Sequence, residues 1–127
     1  MLLKFKLLNK NKIGCISRLK FFKFEFVKIN LYFINAFSNL NSAGNPACVV
    51  PLQKWLNDSK MLEIAKKNKV AETAFFIKRE KHYHLRWFTP EIEMDLCGHA
   101  TLAAAHCIIK ELNYNSDKII FETLSGK

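Results

Sequence analysis

Phe22, Phe24 and Phe26 alternate with Lys23 and Glu25, the period-two rhythm of a strand with one apolar face. Residues 31–37, LYFINAF, continue in residues that favour strands and run into SNLNSAGNP, where Ser, Asn, Gly and Pro mark a loop; ACVV at 47–50 then predicts a short second strand. Asn57, Asp58 and Ser59 stand before Met61, Leu62, Ile64 and Ala65 at helical spacing, so side-chain capping of the free amides predicts a helix over 58–68. TAFFIKR at 73–79 and YHLRWF at 83–88 read as paired strands across the charged turn EKH, and Thr89 with Pro90 ends the second. From Gly98 the rhythm changes again. Leu102, Ala103, Ala105, His106, Ile109 and Leu112 recur at helical spacing, which predicts a largely buried helix of about four turns reaching Leu112. KIIFETL at 118–124 is a further strand, and SGK reads as a turn. No repeat or low-complexity linker divides the chain, so mixed strands with two helices, the second apolar nearly all round, predict an α+β sheet wrapped on a helix.

Charge divides what the hydrophobic pattern leaves whole. Residues 1–28 carry eight Lys or Arg against the single acid Glu25, a net +7, which leaves +2 of the total +9 for residues 29–127. A basic N-terminal extension, 1–28, therefore precedes a nearly neutral globular part, 29–127. Its lysines are interleaved with Phe and Leu and joined by one Arg, a poor match to a nucleic-acid arm, so no nucleic-acid partner is expected. No stretch of about 18 apolar residues is present, and residues 1–28 hold no charge-free run of signal-peptide length, so neither a membrane nor a secretory role is expected. The cytoplasm is the expected compartment; a mitochondrial presequence, basic and poor in acids, is the alternative. Cys15, Cys48, Cys97 and Cys107 include no C-x-x-C pair, and reduced thiols are expected.

Candidate chemistry concentrates in MDLCGHATLAAAH, residues 94–106. Cys97, His99, His106 and Cys107 are all zinc-ligating residue types, but their spacing matches no compact zinc module, and no metal is expected. His82 and His84, alternate in sequence, read as one face of an exposed edge. Cys97, just before a helix start, is either a reactive thiol whose pKa the helix dipole lowers or a small core residue. Gly98 either lets an anion approach the free amides of the first helical turn or serves only a tight strand-to-helix turn. Glu72, an acid among apolar residues at a strand entrance, is either solvated there or partly buried, and partial burial would tune it for proton transfer.

GNPACVV, AETAFFIK, LRWFTPEIEMDLCGHATLAAAH and FETLSG, in that order over residues 29–127, resemble the first half of the phenazine-biosynthesis PhzF-like family. The resemblance implies a diaminopimelate-epimerase-like half-domain, an incomplete mixed sheet curled around the central helix that starts at Gly98, with the active site in the cleft between two such halves. It also implies a cofactor-independent isomerase acting on a small carboxylate-bearing substrate. Glu72, in the ETAF motif, would be the catalytic acid/base. Gly98 and His99, in GHAT, and Asn45, in GNP, would meet the substrate. Cys97, which occupies the position of a cysteine in related epimerases, would be a secondary catalytic candidate. Ala71 and Asn35 depart from the serine and aspartate usual in the family. By the same resemblance the second wall of the cleft lies outside the 127 residues, so the chain alone is expected to be weakly active or inactive. The alternative expectation is a non-catalytic fragment or interaction protein, pairing with a second copy through an exposed sheet edge.

Overall fold

The computed structural model describes residues 2–6, 16–24 and 27–125. Cys15, residues 25–26 of the first alternation and residues 126–127 of the closing turn lie outside them. Among the described residues the chain forms β1 (Leu2–Lys6), β2 (Ile16–Phe24), β3 (Val27–Ala36), β4 (Asn45–Leu52), α1 (Asp58–Asn68), β5 (Glu72–Lys78), β6 (Tyr83–Phe88), β7 (Glu93–Met94), α2 (Gly98–His106) and β8 (Lys118–Glu122). The strands build one mixed sheet in the order β1-β8-β6-β5-β4-β3-β2, with β7 paired to β6. The pairs β4/β5 and β6/β8 are parallel and all other ladders are antiparallel. Residues 2–6 and 16–24, placed by charge in the basic extension, thus supply the two end strands of the sheet.

Each face of the sheet buries one helix, and alternation decides which residue goes where. Ala47 and Val49, Ala74 and Phe76, and Leu85 and Trp87 face α2, whose Ala100, Ala103 and Ala104 allow close approach. Cys48 and Val50, Phe75 and Phe88 face α1, which contributes Met61, Ile64 and Ala65. Double-sided burial explains why the central strands read as unbroken apolar runs. The α1 start is capped as its sequence predicts: the Asn57 side chain accepts from the Lys60 amide at 2.9 Å.

Two segments differ from the hydrophobic pattern. The second helix does run on past His106, but as a π-helical turn over Cys107–Glu111, closed by the Leu112 amide donating to the Cys107 carbonyl at 3.1 Å. Leu112, read as the last buried position of that helix, is an exposed side chain instead, because the wider turn rotates the pattern. The strand β6, whose His82–His84 side read as an exposed edge, lies inside the sheet, flanked by β5 on one side and by β8 and β7 on the other. Arg86 ties this region together, donating to both Glu93 carboxylate oxygens at 2.6 and 2.7 Å and to Asp58 at 2.9 Å.

Candidate active site

Topology brings the four predicted elements of the site to one end of the sheet. The strands β4 and β5 run parallel with Ala47 opposite Glu72, so Asn45 and Glu72 both stand at strand starts. β6 runs the other way and ends at Phe88, so the return through β7 delivers Cys97 and the start of α2 to that same end. Along β5, Glu72 alternates with Ala74 and Phe76, which face α2, so its carboxylate is directed at the first turn of that helix.

Glu72 Oε2 lies 3.0 Å from His99 Nε2. Both atoms are buried, and neither has a hydrogen bond of good geometry, so the pair is held at ion-pair distance with its directed bonding unsatisfied. On the other side of the ring, His99 Nδ1 is 3.4 Å from Cys97 Sγ. The imidazole therefore sits between a carboxylate and a thiol, and the ligand atoms of all three residues lie within 4.8 Å of one another. Partial burial is the alternative that holds for Glu72, whose side chain is 19% exposed. Asn45 is exposed at the first position of β4, at the same end of the sheet as Glu72.

Cys97 is buried, and burial together with the nearby Glu72 charge raises its thiol pKa, with the amides of Ala100 and His99 opposing. The helix start thus does act on the sulfur, but desolvation outweighs it. Of the two readings of Cys97, the lowered thiol pKa is the one this burial opposes.

The two readings of Gly98 are also distinguishable. The chain reserves its one positive-φ glycine in the described residues for Gly44, so no left-handed turn demands glycine at position 98. A Cβ there would meet no described heavy atom within 4 Å, so no close approach of the backbone demands glycine either. The remaining residues named from sequence lie elsewhere: His106 and Cys107 are buried in the core between α2 and the sheet, and desolvation lowers the His106 pKa. His82 and His84, read from sequence as a solvated face, each lie 2.8 Å from Glu122 Oε2. Period-two spacing shows that the two histidines share a side; it does not show which acid faces them.

A mixed sheet packed on an apolar helix is the architecture of an epimerase-like half-fold. Comparison with known proteins agrees at the level of family. The family model described as PhzC-PhzF, phenazine biosynthesis-like protein, matches residues 34–127, and the chain belongs to that family. It is 45% identical over 101 residues to an uncharacterized isomerase of Pseudomonas aeruginosa, covering 80% of this chain and 39% of that one. It is 35% identical over 109 residues to phenazine biosynthesis-like domain-containing protein 2 of Mus musculus, covering 80% and 38%. Among solved structures, a PhzF family protein of Enterococcus faecalis superposes with a TM-score of 0.73 at 43% identity, over 77% of this chain and 38% of that one. The chain therefore spans about two fifths of the length of the relatives it matches. Among the described residues, no helix is long and apolar enough to cross a membrane.

Proposed function

We propose that this chain carries the proton-transfer half of a cofactor-independent isomerase that acts on a small carboxylate-bearing substrate. The observation that carries the reading is the Glu72–His99 contact at 3.0 Å, at the end of the sheet where α2 begins. A carbon acid needs a base within reach, and Glu72 supplies a carboxylate. The substrate's own carboxylate needs a donor, which the Gly98 amide at the helix start would supply. Glu72 takes the proton from carbon and returns it at another position or on the other face. His99 holds the Glu72 carboxylate and is placed to meet the substrate beside it. Cys97, with its thiol pKa raised, supports the imidazole and is a secondary proton carrier. Asn45 is the rim residue for a polar substrate group.

The test is exchange of solvent deuterium into a panel of small carboxylates, followed by proton NMR. Glu72→Gln, near-isosteric and without a base, should lower exchange at least about a hundredfold. Exchange that persists undiminished in a folded Glu72→Gln variant would remove the assignment.

The competing reading, an interaction protein pairing through a sheet edge, is less well supported. β2 is an end strand of the sheet, yet it carries Arg18, Lys20 and Lys23, and lysine-rich edges resist pairing with a second copy.

A further inference from the structure

On the face of the sheet opposite Glu72, three side chains converge that the proton-transfer reading does not use. His84 in β6 is register partner to Glu122 in β8, on a parallel ladder. Both point away from α2, since their neighbours Tyr83, Leu85 and Phe121 pack on that helix. His82, two residues before His84 in the turn that enters β6, falls on the same side. The result is two imidazole Nε2 atoms, each 2.8 Å from one oxygen, Glu122 Oε2. One ligand atom from each residue lies within 4.8 Å of the others.

We propose that His82, His84 and Glu122 form a site for a single Zn2+ ion. Two imidazole nitrogens and a carboxylate oxygen are a donor set suited to zinc. Bonds of about 2.0–2.1 Å in a tetrahedron place donor atoms roughly 3.3 Å apart, so Glu122 Oε2 and the two nitrogens need open by only about half an ångström. The side chains can do so, being 31%, 36% and 49% exposed for His82, His84 and Glu122. The rings are not stacked on each other: their planes meet at 64°, which lets both nitrogens face one point. Trp55 lies against His84 at 6.4 Å between ring centroids and limits the orientations of that imidazole. The neighbouring cation, Arg86, is neutralised by Glu93 and Asp58, so it does not oppose an ion. A cavity of about 330 Å³ bordered by Trp55, His84, Arg86 and Glu122 gives solvent access and room for a fourth ligand. The other metal-capable trio, Glu72, Cys97 and His99, is more enclosed, and its cysteine is held toward the protonated thiol.

Calorimetric titration of the 127-residue chain with Zn2+ in a non-chelating buffer tests this. One ion should bind. His84→Gln and Glu122→Gln should each weaken binding at least about tenfold, and His82→Gln/His84→Gln should abolish it, while Cys97→Ser binds as the parent does. Far-UV circular dichroism checks that each variant folds. Co2+ gives a readout on the unaltered chain: visible d–d bands without a thiolate-to-cobalt charge-transfer band. Absence of Zn2+ binding, binding that survives the double histidine replacement, or a charge-transfer band with loss in Cys97→Ser would overturn the assignment. The first of these outcomes would mean that the three side chains form only an ion-paired cluster.

Discussion

Gly98 is the residue at which the cost of a side chain separates folding from binding. Among the described residues nothing lies within 4 Å of a Cβ placed there, so Gly98→Ala should leave stability unchanged or raise it by up to about 1 kcal/mol, the usual gain of alanine over glycine in a helix. The same methyl group would crowd a carboxylate drawn to the Gly98 amide. Binding of a carboxylate to the variant, followed by NMR titration, should weaken at least about tenfold, and unchanged binding would show that the anion does not approach there. Glu72 and His99 illustrate the complementary case, where a residue type is legible and its contact is not. An acid at a strand entrance can be recognised, and so can a histidine just inside a helix. That their atoms lie 3.0 Å apart depends on a sheet face and a helix start meeting in space. Cys97 shows how an argument from local chemistry alone fails. The amides at the helix start do favour thiolate, but the burial that overrides them comes from the surrounding fold.

At the scale of elements, the loop between β3 and β4 fixes where Asn45 begins its strand. Gly44 in that loop has φ +77°, and a Cβ added there would collide with the Ala36 carbonyl oxygen and lie 2.8 Å from the Ser38 amide nitrogen. Gly44→Ala should therefore cost on the order of 2 kcal/mol of stability, read as a lower urea midpoint with an unchanged slope. A midpoint equal to the parent's would show that the loop relaxes freely. The glycine and the turn-forming cluster around it are visible in the sequence, so this loop could be placed from the residues alone. β7 could not: two residues, Glu93 and Met94, carry no periodicity, and only pairing with Trp87 and Phe88 defines them as a strand. The π turn after α2 was equally hidden, because hydrophobic spacing near 3.6 residues does not distinguish a widened last turn.

At the scale of the whole molecule, burial of thiols sets a limit on alkaline stability. Cys48 lies in the core between the sheet and α1, and burial pushes its pKa up to about 12; burial also raises that of Cys107, on the opposite face. Above the ordinary thiol range, near pH 9, the unfolded chain releases protons that the folded chain retains. Stability then falls as pH rises, by about 1.4 kcal/mol per pH unit for each thiol. Urea unfolding at pH 8, 9 and 10 should show progressive loss, and Cys48→Ala should make the decline shallower. A flat profile over that range would refute the burial argument. The zinc trio belongs to this scale as well, since His84 and Glu122 are far apart in sequence and meet only because β8 returns parallel to β6.

The amino-acid sequence by itself determined the elements with strong local signals: α1 with its Asn57 cap, the β5/β6 hairpin, the buried run from Gly98, and the motifs that resemble the family. Those signals are short-range, written in side-chain periodicity, capping groups and turn residues a few positions apart. Only the tertiary structure decided the strand order, the placing of Leu2–Lys6 and Ile16–Phe24 at the two ends of the sheet, the approach of His99 to Glu72, and the meeting of His82 and His84 with Glu122. These depend on pairing between distant segments, and a single chain's residue pattern specifies which face a side chain takes but not which neighbour faces it.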